Sequence, residues 1–135
     1  MKEVYDDRIE WRNERGELHR LDGPAVEYKS GNKGWYKNGK LHRLDGPAAQ
    51  YIDGTKYWYQ DGKLHRLDSP AVELSDGTKY WYQNDCLHRI DGPAIEWRDG
   101  LVSWYINGQS YSEQEWFEML PKDKQADYLF KLGEK

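Results

Sequence analysis

The stretch Trp35-Tyr36-Lys37-Asn38-Gly39-Lys40-Leu41-His42-Arg43-Leu44-Asp45-Gly46-Pro47-Ala48 recurs almost residue for residue from Trp58 to Ala71 and from Trp81 to Ala94. Leu18, Leu41, Leu64 and Leu87 stand 23 residues apart, as do Trp35, Trp58, Trp81 and Trp104, with no insertion or deletion between them. A fixed period of this kind marks a chain built from one supersecondary unit stacked on copies of itself, because one such unit cannot bury its own apolar face. A residue that recurs at four equivalent places is expected to solve a structural problem that also recurs, whereas an active site is needed once.

Within each unit a β-prone run leads into a turn pair: Ser30-Gly31, Asp53-Gly54, Asp76-Gly77 and Asp99-Gly100. Asp-Gly in this setting predicts a two-residue type I′ hairpin, whose central residues both need positive φ. With that pair as the whole loop, Val26 falls opposite Trp35, Ala49 opposite Trp58, Val72 opposite Trp81 and Ile95 opposite Trp104, and Tyr28, Tyr51, Leu74 and Trp97 continue the same apolar face. The other face then carries Ala25, Ala48, Ala71 and Ala94 against Tyr36, Tyr59, Tyr82 and Tyr105, followed by Glu27, Gln50, Glu73 and Glu96. A second turn is expected at Asn38-Gly39, Asp61-Gly62, Asn84-Asp85 and Asn107-Gly108. Pro24, Pro47, Pro70 and Pro93 fall at strand starts, where a missing N–H breaks no ladder bond. The predicted fold is mainly β: antiparallel hairpins at about 4.8 Å per strand forming one elongated twisted sheet, with equivalent residues every ~10 Å and four units spanning roughly 40 Å.

The repeats extend over residues 1–111, as a partial unit at 5–17 containing Ile9-Glu10-Trp11-Arg12, then four units from residue 18. Residues 112–135 read as a short C-terminal α-helical cap, which would blunt an otherwise sticky sheet edge. Ser112-Glu113-Gln114-Glu115 is a capping box, Trp116, Phe117 and Leu120 follow on one face, Pro121 interrupts, and a second helix presents Ala126, Leu129, Phe130 and Leu132.

Charged residues make up 33% of the chain, but 7 Trp and 11 Tyr are what disordered chains lack, so the aromatics are expected to form the core. Net charge is −4 with both signs interspersed, so no basic stripe is present to follow a phosphate backbone, and nucleic acid is not an expected partner. Cys86 is the only cysteine, and no apolar span or leader-like segment is visible, which together suggest a cytoplasmic protein without a membrane partner.

The phrase Trp-Tyr-x-Asn-Gly-x-Leu-His-Arg-x-Asp-Gly-Pro-Ala, followed by Asp-Gly and the next Trp-Tyr, resembles MORN repeats over about residues 9 to 109. It is most similar to the variant repeats of bacteriophage and large-virus proteins. The resemblance departs from the usual pattern at His-Arg-(Leu/Ile)-Asp-Gly, where a plain His-Gly is typical, so the lipid contact proposed for that family is not carried over. It implies scaffolding or partner binding without chemistry, in a small phage accessory protein of the host cytoplasm that binds and inhibits a host or defence protein.

Read for chemistry, His19, His42, His65 and His88 cannot share a metal ion, because ligands must converge to about 2 Å and a stacked sheet spaces them by ~10 Å. Each is expected to hydrogen-bond a turn carbonyl, and each Arg/Asp pair (Arg20/Asp22, Arg43/Asp45, Arg66/Asp68, Arg89/Asp91) to clamp a turn. Cys86 lies between acidic and apolar neighbours and is not expected to be a nucleophile. No catalytic residue, metal or cofactor is assigned. The leading expectation is a non-enzymatic interaction module, monomeric or homodimeric, whose tyrosine-rich acidic face (Tyr36, Tyr59, Tyr82, Tyr105, Glu73, Glu96) meets another protein, with Trp116 and Phe117 as further docking residues. The alternative is a nucleotide or cyclic-nucleotide binding or sequestering protein that uses the aromatic grooves with Arg at the rim. A site needed only once would lie where the repeat breaks: Gly34 for Tyr57 and Tyr80, Ala49 for Val, Ser69 for Gly, Asn84-Asp85-Cys86, and Leu101-Val102-Ser103 for Thr-Lys-Tyr.

Overall fold

A computed structural model describes residues 1–134; Lys135, the last residue of the expected cap, lies outside the described residues. Eleven strands form one long antiparallel sheet in sequence order: Lys2–Val4, Arg8–Trp11, Val26–Tyr28, Lys33–Gly34, Ala49–Gln50, Lys56–Tyr57, Val72–Glu73, Lys79–Tyr80, Ile95–Glu96, Val102–Ile106 and Gln109–Tyr111. The sheet does not close into a barrel. Three short hairpins stand beside it, Tyr36–Lys37 with Lys40–Leu41, Tyr59–Gln60 with Lys63–Leu64, and Tyr82–Gln83 with Cys86–Leu87. The first three units therefore contribute one hairpin to the sheet and one to its flank, while the second hairpin of the last unit continues the sheet. No helix among the described residues is long and apolar enough to cross a membrane.

Tryptophan is the pivot between the two hairpins. The N–H groups of Trp35, Trp58 and Trp81 donate forward to the carbonyls of Ala48, Ala71 and Ala94 in the next unit, while their carbonyls accept from His42, His65 and His88 of their own. One residue thus belongs to two ladders at once, and the strand breaks there. After Trp104 no further unit follows, and Val102–Ile106 runs unbroken.

The turns lie where the sequence places them, but the two-residue type I′ geometry expected of the first turn in each unit is found at the second. At the first turn Tyr28 N–H donates to the Asn32 carbonyl and Gly31 N–H to the Tyr28 carbonyl, a three-residue loop in which only Gly31, at φ +105°, is left-handed. The same pattern recurs at Gly54, Gly77 and Gly100. The type I′ turns are the second ones, where Asn38 and Gly39 both have positive φ. The extra loop residue corrects the expected register by one: Val26 pairs with Gly34, Ala49 with Tyr57, Val72 with Tyr80 and Ile95 with Ser103, not with the tryptophans. A slip of one residue sends every side chain to the opposite face. Accordingly, Glu27, Gln50, Glu73 and Glu96 face Lys33, Lys56, Lys79 and Val102, so the face expected to be acidic interleaves its glutamates with three lysines.

Both sides of the central strands are covered. Ala25 and Val26, Ala71 and Val72, and Ala94 and Ile95 are adjacent and all buried, as is Ala48. Small residues at the alanine positions suit the close approach of Trp N–H groups to their carbonyls.

The last unit is closed by two helices, α1 (Glu113–Met119) and α2 (Lys122–Gly133). The capping box forms: Glu115 N–H donates to Ser112 Oγ at 3.1 Å and Ser112 N–H to Glu115 Oε1 at 2.9 Å. Trp116, wholly buried, rests on Trp104 with ring centroids 4.5 Å apart and donates Nε1–H to the Arg89 carbonyl at 2.8 Å. Tyr128 packs edge-on against Trp116 at 5.0 Å, and its hydroxyl donates to Glu113. Burial, then that bond, push the Tyr128 phenol up to about 12. The expected inward face of α2 is corrected: Leu129, Phe130 and Leu132 are exposed, and the helix is held by Tyr128 and by Gln125, whose amide donates to the Phe117 and Leu120 carbonyls. Trp116→Ala is expected to cost about 3–5 kcal/mol in denaturant unfolding, whereas Phe130→Ala should change stability by less than ~0.5 kcal/mol.

Candidate functional site

Each His-Arg-(Leu/Ile)-Asp-Gly-Pro segment folds into a braced loop. The guanidinium of Arg20 lies 3.9 Å over the Trp11 ring, Arg43 3.9 Å over Trp35, Arg66 3.8 Å over Trp58 and Arg89 3.8 Å over Trp81. From there Nη1–H donates to the carbonyls of Pro24, Pro47, Pro70 and Pro93, at 2.9 to 3.1 Å. In three of the loops Nε–H also reaches the aspartate: Asp22, Asp45 and Asp91, at 2.7 to 3.0 Å. A Cβ at Gly23, Gly46 or Gly92 would stand 2.8 to 2.9 Å from the guanidinium carbon, so glycine leaves the arginine room to lie on the ring and reach the aspartate at the same time. Ser69 breaks this rule, and its loop differs: Asp68 takes a left-handed φ of +64°, and Arg66 keeps only its bond to Pro70.

The histidines link neighbouring units. Nδ1 of His19, His42, His65 and His88 accepts the amide N–H of Asn38, Asp61, Asn84 and Asn107, at 3.0 to 3.1 Å. The expectation of a bond to a turn carbonyl is corrected: the partner is the first N–H of the next unit's type I′ turn, which demands a ring unprotonated at Nδ1. Among the described residues no group of three or more His, Cys, Asp or Glu side chains is placed to hold a metal ion.

The same loops carry an outward feature. Leu21 is 81%, Leu44 75%, Leu67 61% and Ile90 36% exposed, one aliphatic side chain per unit. At two strands per unit they stand about 10 Å apart along one edge of the molecule. Between the first two loops lies an open groove of about 650 Å³ floored by Trp35 and Tyr36. Ile90 is the least exposed, and its loop is the one that α2 reaches, with Lys131 Nζ 3.7 Å from Asp91. An apolar residue inside an otherwise polar turn was the visible signal for this ladder.

The residues expected to meet a partner are dispersed. Tyr36, Tyr59, Tyr82 and Tyr105 are half-buried, and burial raises the phenols of the first three above the usual range. Tyr59 and Tyr82 pack on Tyr57 and Tyr80, each at 6.4 Å. Glu73 sits between Lys56 and Lys79, and Glu96 accepts from Arg89 at 2.8 Å. The docking expectation for Trp116 is corrected, since it has no accessible surface. Phe117 is half-buried against Tyr128. The arginine rim invoked for nucleotides is engaged by tryptophan rings and proline carbonyls. Comparison of the chain with family models, with curated proteins and with solved structures finds no match.

Ser69→Gly should relax Asp68, restore the Arg66–Asp68 pair and stabilise the protein by about 1 kcal/mol net of the added chain entropy, read as a melting temperature higher by a few degrees. His88 supplies a pH test. Burial lowers its pKa, so the stability it contributes is present above the unfolded value of about 6.5 and is lost as pH falls through that value and below the folded one. Glu10, Asp76, Asp91 and Glu115, all lowered by hydrogen bonds they accept, act in a separate window below about pH 4.5. Melting temperature should therefore fall between pH 7 and pH 5, with a shallower slope in His88→Gln.

Proposed function

We propose that this chain is a non-enzymatic protein-binding module whose docking edge is the aliphatic ladder Leu21, Leu44, Leu67 and Ile90. The observation that carries this reading is repetition combined with exposure. A residue placed identically in every unit solves a recurrent structural problem if it is buried, yet these four point outward, so their recurrence serves something outside the fold. Each is held on a loop fastened by an arginine to a tryptophan face and a proline carbonyl, which lowers the entropy lost when a partner is bound. The alternating lysines and glutamates of the sheet leave no single-sign field to favour nucleic acid.

The resemblance to viral MORN-like repeats supports the finer form of this reading, an accessory protein that acts in the host cytoplasm by occupying a host or defence protein. The test is affinity capture from bacterial lysate with the intact chain and with Leu44→Asp/Leu67→Asp. These side chains contribute little to the core, so the variant should melt within a few degrees of the parent and lose the proteins the parent retains. Retention of the same proteins by the variant would remove the ladder from the interface.

A further inference from the structure

Two departures from the repeat meet at one point in the sheet. Gly34 stands where later units carry Tyr57 and Tyr80, and its cross-strand partner is Ala49, which stands where other units carry Val26, Val72 and Ile95. At the equivalent boundaries Tyr57 faces Val72 and Tyr80 faces Ile95. A ring missing on one strand and methyl groups missing on the other leave an open cleft of about 350 Å³, walled by Val26, Tyr28, Tyr36, Leu41 and Tyr51.

The next unit shows what such a space accepts. There the Tyr57 ring lies 6.0 Å from Tyr51, edge to face, and 6.4 Å from Tyr59. Tyr28 and Tyr36 are the counterparts of Tyr51 and Tyr59, and both line the cleft with no ring between them. A Cβ at Gly34 would stand 2.9 Å from Tyr36 Cε2, so Tyr36 leans into part of the space. Tyr57 and Tyr59 coexist with ring planes 35° apart, which shows that a modest tilt admits both. Aromatic walls facing open space forgo dispersion contacts that a ring of matching size restores. Ser30, Asn32 and Lys33 at the margin offer polar atoms to a hydroxyl.

We propose that this cleft binds one phenol ring, delivered as the tyrosine side chain of a partner protein, which completes the first unit as Tyr57 completes the second. The proposal rests on the protein-binding reading above and places a single anchor at one end of the face away from the ladder's repetition. An aromatic side chain seated in a pocket is the kind of contact that dominates interface energetics.

The test titrates the intact chain with p-cresol and with N-acetyltyrosinamide, followed by aromatic NMR shifts. Saturable one-to-one binding of both is expected, in the millimolar range normal for fragments of this size. Gly34→Tyr, which supplies the ring from the chain itself, should weaken both at least tenfold. Ala49→Val, which restores the valine of other units, should weaken them several-fold and keeps the test decisive if Gly34→Tyr does not fold. Leu44→Asp/Leu67→Asp should bind p-cresol like the parent, so a failed ladder and a failed cleft are told apart. Absence of saturable p-cresol binding, or equal binding by both cleft variants, would overturn the site. Binding of p-cresol without N-acetyltyrosinamide would overturn the tyrosine side chain as its occupant.

Discussion

The structure depends on an arginine laid flat on an indole. Arg20, Arg43, Arg66 and Arg89 each cover the tryptophan that ends the previous sheet hairpin, and the same guanidinium ties down the loop that begins the next. A cation over an indole contributes about 0.5–2 kcal/mol, more as water is excluded, and the planar fork leaves its edge N–H groups free for proline carbonyls and aspartates. Lysine, a point charge on a flexible stem, could do the first of these and not the second. The rest of the motif follows from this contact: glycine because a Cβ would strike the guanidinium, aspartate to accept Nε–H, and proline to start a strand with its carbonyl turned to the arginine. The third loop is a natural variant of the rule, for Ser69 removes the glycine and Arg66 loses its aspartate while keeping its place on Trp58.

A stack of this kind needs an ending, because Trp104 has no later arginine to cover it. Trp116 takes that position, replacing a guanidinium by a second indole, and its Nε1–H reaches the Arg89 carbonyl. The capping box that starts α1 places Trp116 at the right height, and Tyr128 closes the corner. The cap thereby covers the last indole of the stack, while the terminal strand Gln109–Tyr111 stays largely exposed.

Much of this was legible in the residues. The period, the hairpins, the positions of all eight turns and the helical cap can be read from Asp-Gly, Asn-Gly and Ser-x-x-Glu. The register could not, since Asp-Gly serves both a two-residue and a three-residue loop, and the choice is made by the tryptophan that must bond forward to Ala48 or its equivalents. That bond spans two units, and no local pattern encodes it. The inner face of α2 was misread for a related reason: apolar spacing favours Leu129 and Phe130, but the available room lies between Trp104, Trp116 and Phe117, where a tyrosine that can also donate to Glu113 fits.

The candidate sites differ in how they relate to repetition, and the difference bears on function. Recurrence is explained by the fold for the arginines, glycines and histidines, each with a named partner in its own or the adjoining unit. It is unexplained by the fold for Leu21, Leu44 and Leu67, whose side chains stand in solvent, and this is the observation on which the proposed docking edge rests. The opposite case is Gly34 with Ala49: Ser103 also lacks the ring but faces Ile95, and only here do two reductions fall directly across from each other on adjacent strands. Drift at tolerant turn positions gives no reason for two reductions in volume to coincide in the interior of a sheet, where lost volume is felt. A ladder of apolar contacts combined with one aromatic cleft would give a partner both register along the stack and a fixed point on it, which a periodic surface alone cannot supply.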